Sequence, residues 1–385
     1  MKTLYLHIGT PKTGTTSLQH FCTENAEILQ QKGYMYPLFP HKFKKTNIMR
    51  NAFFLSYKAY HQDGSRNMIE EESIYRQGMD FVLNTFRNTD NIILSDEAIW
   101  NVVCKRGKAD LWEKLKKEAD KNNFVIKIIV YLRRQDSLAE SWWNQKIKFG
   151  ERVYSKTSWE NFLQDPSKLE LNYAEPLKKI EQIFGKENLI VRRFGRQYFK
   201  NGSLYEDYMD ALGVKYSSHF KISEGKRNVA LNGNTPEIKR VINTLPDLSH
   251  ENNVFFRRIA VAMSEQESDL KAKSMFSTEE ARSFMERYRD GNRKVMQEYF
   301  GQDEDLFAMD FSYDKWEMDH TKMEQDIIRF FGHAVVKLRE ENKEMQTKVS
   351  ALEKELEEQK KVMTDMQRKL ENPLRKMWAS FKGKK

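Results

Sequence analysis

The sequence predicts an α/β fold, a parallel β-sheet covered by helices on both faces, followed by a long C-terminal coiled-coil helix. Three observations carry this prediction. Short apolar runs alternate with segments of helical periodicity; the first run passes through a glycine-containing loop straight into a helix; and beyond residue 330 the apolar residues fall into heptads.

The first strand is Thr3-Leu-Tyr-Leu-His-Ile8, which alternates, is rich in strand formers and runs into Gly9-Thr-Pro-Lys-Thr-Gly-Thr-Thr-Ser17 before a helical pattern begins. Asn91-Ile-Ile-Leu-Ser95, Phe124 to Leu132 and Asn188-Leu-Ile-Val-Arg192 read as three further strands. Their nearly continuous apolar character is that of strands buried on both faces. From about residue 203 to 325 the pattern is helical, and Ser203-Leu-Tyr-Glu206 opens one helix in the manner of a capping box.

In the heptads, Val335, Asn342, Val349, Leu356, Met363 and Leu370 share one position and Leu338, Met345, Leu352, Gln359 and Met366 the other. Flanking charges set Lys348 against Glu353 and Glu355 against Lys360 of a parallel partner, and one polar seam residue, Asn342, favours two strands. A homodimer through residues 335–370 is therefore expected; a long solvated single helix is the alternative. Pro373 is expected to stop the helix. After it, Leu374, Met377, Trp378 and Phe381 follow the spacing of one helical face amid basic residues, as in a helix lying on an anionic membrane surface. The expected domains are thus residues 1–325, a dimeric coiled coil at 326–371 and a basic amphipathic membrane-surface helix at 372–385.

Composition narrows the function. Of 385 residues, 39% are hydrophobic and 31% charged, and the longest apolar stretch is short and carries Lys127, so no segment is expected to span a bilayer. The start lacks the pattern of a secretory signal, and two cysteines, Cys22 and Cys104, make neither a disulfide framework nor a thiolate metal site. A cytoplasmic protein, peripheral at the inner membrane face, is expected. Arg375, Lys376, Lys382, Lys384 and Lys385 supply five of the nine net positive charges, so the basic balance belongs mostly to the tail and no nucleic-acid partner is expected.

A strand, a glycine loop and a helix together form a site where backbone N–H groups and the positive helix end hold a phosphate. A nucleoside-triphosphatase loop places Lys directly after its last Gly, beside a Mg²⁺-binding hydroxyl. Here Lys12 precedes Gly14, and Thr13, Thr15, Thr16 and Ser17 crowd the helix start. The stretch Leu6-His-Ile-Gly-Thr-Pro-Lys-Thr-Gly-Thr-Thr-Ser-Leu-Gln19 resembles the 5′-phosphosulfate loop of sulfotransferases that use 3′-phosphoadenosine 5′-phosphosulfate (PAPS), especially the bacterial carbohydrate-type members. Val130-Tyr-Leu-Arg-Arg-Gln-Asp-Ser-Leu-Ala-Glu-Ser141 is similar to that family's strand, Arg and helical Ser that grip the 3′-phosphate, with Arg133 and Ser141 at the matching positions. The family often has Asp-Pro after that Arg, where this chain has Arg134-Gln135. Val191-Arg-Arg-Phe194 and Gly225-Lys-Arg-Asn228 are weaker matches, the latter making Lys226 and Arg227 nucleotide contacts. The resemblance spans about residues 3–315.

It implies a P-loop-like sulfotransferase fold and transfer of a sulfuryl group from PAPS, without a metal, to a hydroxyl or amine of a carbohydrate acceptor such as a cell-surface glycan or its lipid-linked precursor. Lys12 would contact the phosphosulfate and assist the leaving group, while Thr13, Gly14, Thr15, Thr16 and Ser17 hold the 5′-phosphate. Glu97, at the end of the second apolar run, resembles the strand-end Glu of carbohydrate sulfotransferases and is the expected general base. Alternatively Asp96 and Glu97 cap the next helix. His7, His41 and His61 are lesser candidates, His7 being placed for a structural role within its strand. Competing readings are a P-loop-type kinase using ATP and Mg²⁺, and a non-enzymatic membrane-tethered coiled-coil scaffold.

Overall fold

Leu4 and Leu6 project to one face of the first strand and Tyr5 to the other, and all three are buried, which a chain segment achieves only at the centre of a covered sheet. The computed structural model describes residues 1–43, 46–105, 108, 110–166, 169–222, 229–266, 273–318 and 320–382. Within them the strands are β1 (Lys2–His7), β2 (Tyr34–Met35), β3 (Asn91–Ser95), β4 (Phe124–Arg133) and β5 (Leu189–Phe194). The main helices are α1 (Thr15–Glu24), α2 (Met68–Thr85), α3 (Ala98–Lys105), α4 (Leu111–Lys121), α5 (Gln135–Phe149), α6 (Ala174–Phe184), α7 (Leu204–Ala211), α8 (Thr235–Ile242), α9 (His250–Gln266), α10 (Thr278–Glu286) and α11 (His320–Lys382). Shorter helical turns fill several connections.

The sheet is parallel throughout, in the order β2-β3-β1-β4-β5. The four strands expected from the sequence are all present. The added edge strand β2 has two residues, too few to show an alternating pattern. The chain leaves β1 for β2 and β3 on one side and then crosses to β4 and β5 on the other. The C-terminal end of β1 is therefore a topological switch point, where open α/β sheets bind ligands. In register, Leu6 lies between Leu94 and Ile128, and Arg133 pairs with Phe194.

On one face, Leu4, Leu6, Leu94, Ile128 and Val130 pack with Ile74 and Val82 of α2, Leu115 of α4 and Leu177 of α6. On the other, Tyr5, Ile93, Ile129 and Tyr131 pack with Leu18 and Phe21 of α1 and Tyr208 and Met209 of α7. Tyr131 is fully buried, and its hydroxyl donates to Asp207 Oδ2 at 2.7 Å, which meets the polar requirement of a ring that no water reaches. Helix α7 opens on Ser203, whose Oγ accepts from Glu206 N; the reciprocal half of the expected capping box is absent, since Glu206 accepts instead from Asn201 Nδ2.

Helix α5 carries its own cluster, Leu138, Trp142, Trp143 and Ile147 against Trp159 of a short helical turn and Phe276 and Phe284 of the segment around α10. A fourth cluster joins Ile238 and Ile242 of α8, Ile259 and Met263 of α9, and Phe330 and Ala334 of α11. Asn234 Nδ2 donates to the buried Asp326 at 2.9 Å, fastening the root of α11 to the body. That helix begins at His320, ahead of the expected boundary at 326, because its first turns belong to this fourth core. It also runs through Pro373 to Lys382, where a stop was expected. A proline removes one backbone bond and crowds the preceding turn, but the residues after it include Leu, Arg, Lys, Met and Ala, which are strong helix formers that continue the ladder.

Beyond its root the described seam side chains of α11 are exposed, among them Val335, Leu338, Met345, Val349, Leu352, Leu356, Met363 and Met366. The side chains of Leu370, Leu374, Arg375, Phe381 and Lys382, and all of Lys384 and Lys385, lie outside the described residues. Among the described residues no helix is long and apolar enough to cross a membrane.

Lys239 of α8 is fully buried, and its ammonium is held by the side-chain oxygens of Asn243 and, at 2.7 Å, Asn253. Burial, with the nearby positive Arg257 adding to it, lowers its pKa from 10.5 to about 8. Between those values the unfolded chain holds the proton and the folded chain does not, so this residue makes stability rise with pH across that window and leaves it flat below. Lys239→Met should remove on the order of 3 kcal/mol of that rise, read as the slope of Tm against pH between about 8 and 10.5.

Candidate functional site

The β1–β4 ladder does not end with β1. Ile8 N donates to Ile129 O at 3.0 Å, Tyr131 N to Gly9 O at 3.0 Å and Thr10 N to Tyr131 O at 2.9 Å, so the first half of the loop is an extension of the sheet. Holding that pairing while turning toward α1 requires Gly9 at φ +89°, and a Cβ there would lie 3.0 Å from Glu97 Cβ and 3.1 Å from its Cα. Gly14, at φ +73°, ends the loop, and a Cβ there would stand 2.6 Å from Leu204. Between them Lys12 adopts φ +64°, a left-handed conformation that costs a non-glycine residue about 1–2 kcal/mol.

The loop hydroxyls divide by direction. Thr10 and Thr13 are fully buried, and Thr13 Oγ1 donates to Thr10 O at 2.6 Å, bracing the turn. Thr15 is also buried, whereas Thr16 and Ser17 are exposed. Leu18 N makes the first bond of α1, to Gly14 O at 3.0 Å, so the N–H groups of Thr15, Thr16 and Ser17 point out of the helix end with its positive dipole.

Facing this loop stands Arg133, the last residue of β4. Its Nη1 donates to Lys12 O at 2.7 Å, its Nε and Nη2 reach Ser137 Oγ at 3.0 and 2.8 Å, and its guanidinium lies 5.5 Å from the Phe194 ring centroid. Among the described residues it forms no ion pair with a carboxylate. Burial lowers its pKa, the penalty of a cation held by neutral acceptors alone. The Lys12 ammonium has no hydrogen-bond or ion-pair partner among the described residues. Burial and then the charge of Arg133 lower its pKa, with Glu97 pulling the other way.

Ser137, which the sequence reading passed over, is the hydroxyl that meets Arg133. Ser141 stands one turn further along α5, half-buried. Arg134 turns away: it donates to Asp136 Oδ1 at 2.9 Å and to Tyr313 Oη, and stacks 5.2 Å from Phe311, clamping the 308–313 segment to the start of α5. Lys226 and Arg227 lie outside the described residues. The described chain resumes at Val229, whose carbonyl accepts from Lys148 Nζ of α5 at 3.0 Å.

The two acids that follow β3 have separate tasks. Asp96 is fully buried and accepts from Arg50 Nη2 at 2.7 Å, Ser56 Oγ at 3.1 Å and Ala98 N at 2.7 Å, so it starts α3 as the capping alternative expected. Glu97 takes no such part; it is half-buried beside Gly9. Among the described residues Gln19 Nε2 lies 3.5 Å from its Oε2, and the same amide group lies 3.3 Å from Ser95 Oγ, which in turn meets His7 Nδ1 at 2.9 Å. Complete burial drives the His7 pKa down to about 3, so this ring is neutral and structural. His61 sits in an exposed turn, its N–H closed onto Ser65 O at 2.8 Å. The buried Gln19 of α1 is a second residue that sequence reading gave no role; only the crossing of α1 over β3 reveals it.

No protein-family model matches the chain. A protein of Archaeoglobus fulgidus described as an uncharacterized protein is 28% identical over 215 residues; the match takes in 54% of this chain and 54% of that protein, so the chain spans about half the length of this relative. Among solved structures, a sulfotransferase from Alicyclobacillus acidocaldarius overlaps 69% of this chain and 95% of its own, at a TM-score of 0.34 and 16% identity, a likeness too loose to transfer any residue's role.

The geometry at Gly9 can be checked by comparison with Gly33, which has a similar φ of +82° but nothing within 4 Å of an added Cβ. Gly33→Ala should lose only the left-handed strain of about 1–2 kcal/mol. Gly9→Ala should lose at least 1 kcal/mol more in denaturant unfolding, because it must also displace Glu97.

Proposed function

We propose that this chain is a sulfotransferase that moves a sulfuryl group from PAPS to a hydroxyl or amine of a carbohydrate acceptor. The observation that carries this reading is the pairing of Arg133 with the loop: a desolvated guanidinium with no carboxylate partner among the described residues donates to the carbonyl of Lys12, whose own ammonium is also desolvated and has no partner among them. Two such cations at the switch point of a parallel sheet suit one ligand that carries two separate anionic groups.

The residues present fit that donor. The helix-end N–H groups of Thr15 to Ser17 and the hydroxyls of Thr16 and Ser17 would hold its 5′-phosphate, while Thr13 and Gly14 keep the loop in shape. Arg133, with Ser137 beside it and Ser141 one turn on, would hold the 3′-phosphate. PAPS supplies the activated sulfuryl group when bound. Lys12 neutralises negative charge gathering on the oxygen that leaves. Glu97 Oε2, steadied by Gln19, accepts the proton of the attacking group.

The carbohydrate acceptor, the dimer and the membrane surface are part of the same proposal. A solvated apolar stripe along α11 with Lys348, Glu353, Glu355 and Lys360 at its flanks suits a second copy in parallel register. The basic tail suits an anionic membrane such as the inner face of a cell membrane.

Titration calorimetry with 3′-phosphoadenosine 5′-phosphate (PAP) tests the donor site. Arg133→Ala should weaken PAP about 10- to 100-fold, the worth of a charge-assisted hydrogen-bond pair, while leaving adenosine 5′-phosphate, which lacks the 3′-phosphate, unaffected. Lys12→Ala should weaken both ligands. Preference for ATP with Mg²⁺ over PAP would move the case to a kinase. Light scattering of the full chain should report a dimer, and removal of residues 372–385 should abolish co-sedimentation with phosphatidylserine vesicles. A monomer, or unchanged sedimentation, would remove the corresponding part.

A further inference from the structure

Arg50, whose Nη2 bonds Asp96 beside Glu97, also lines a second cavity. This cavity measures about 410 Å³, within the roughly 300–1,000 Å³ typical of small-molecule sites. Its walls include Phe39, His41, Lys42, Phe43, Asn47 and Arg50. The rings form a continuous surface: Phe43 lies 4.6 Å from His41 and 6.1 Å from Phe39, centroid to centroid, and is backed by Phe53 and Tyr57, each at 4.9 Å. Half-exposed aromatic faces of this kind stack on the C–H face of a pyranose ring, while Asn47 offers an amide to its hydroxyls.

The charge of the wall is one-sided. Lys42 and Arg50 line the cavity, and no carboxylate does among the described residues. Arg50 spends Nη2 on Asp96, and its Nε–H is buried with no acceptor among the described residues.

The cavity is also joined rigidly to the rest of the site. Asn51 Nδ2 donates to Ile93 O at 3.0 Å and its Oδ1 accepts from Ser95 N at 2.7 Å, locking this segment to the end of β3, while Arg50 bonds the residue next to Glu97. We infer that this cavity seats an acidic sugar residue of the acceptor, its ring against Phe43 and its carboxylate or ester anion met by Lys42 and Arg50. The identification of this ligand as an acceptor rests on the sulfuryl-transfer reading; the cavity's preference for an anionic saccharide rests on its own walls.

The test titrates the full chain, with and without saturating PAP, with three hexasaccharides: an oligogalacturonate, a sulfated maltohexaose and plain maltohexaose. At least one anionic probe should bind at least tenfold more tightly than the neutral one. Lys42→Glu, at an exposed position that leaves the core alone, should weaken that probe tenfold or more while PAP affinity stays unchanged. Phe43→Ala should weaken it as well, and Lys117→Glu, an exposed charge reversal on α4, should not. The two anionic probes tell a carboxylate from a sulfate ester. The inference is overturned if neither anionic probe outdoes maltohexaose, if Lys42→Glu has no effect, or if Lys117→Glu has the same effect. If PAP fails to bind the wild type while the anionic probe behaves as stated, the sulfuryl-transfer reading falls and the saccharide site stands.

Discussion

The site depends on one constraint, the continuation of the β1–β4 pairing past the end of β1. Three backbone bonds, at Ile8, Gly9 and Thr10, hold the loop to Ile129 and Tyr131. They force Gly9 into a left-handed turn against Glu97, and they deliver the Lys12 carbonyl to Arg133. Tyr131, whose backbone makes two of these bonds with the loop, is itself fixed by burial and by Asp207. The loop thus takes its position from the most buried part of the sheet, and little of its shape is left to solvent. The strain at Lys12 is offset by this over-determination.

Around that frame the charges separate into satisfied and unsatisfied. Asp96 is met by one end of Arg50, and Arg134 finds Asp136. Among the described residues, Arg133 donates to the neutral Ser137 and Lys12 carbonyl, and the Lys12 ammonium has no ion-pair partner. Structural ion pairs of the first kind hold segments together. Desolvated cations of the second kind cost stability in the free protein, a cost expected where a protein is shaped for an anion. The stretch Arg134-Gln135 has a local account: Arg134 clamps the segment near Tyr313, and Gln135 donates to Asn292 Oδ1 at 2.7 Å inside the core.

The long helix α11 follows a different logic. Its first turns are core, with Phe330 and Ala334 buried against α8 and α9, and the rest projects a stripe that the body of the same chain does not cover. The change comes within a few residues: Ala334 is buried, whereas Val335 and Leu338 are exposed. One helix therefore belongs both to the body and to the heptad segment, which is why a domain boundary drawn by composition falls inside it.

Local and periodic features were determined by the sequence alone: four strands by their apolar runs, the loop by its glycines between strand and helix, the start of α7 by Ser203, and the heptads by their spacing. These depend on neighbours a few residues apart, so the chain states them directly. Contacts between distant segments were decided only by the tertiary structure. Ser137 beside Arg133, Gln19 beside Glu97 and Arg50 joining a cavity to Asp96 each follow from how helices cross the sheet edge. The proline in α11 shows the reverse limit, since a local rule that disfavours helix yielded to strong helix formers on the far side. Side-chain pairing across a crevice is a property of packing, and packing is set by the whole chain at once.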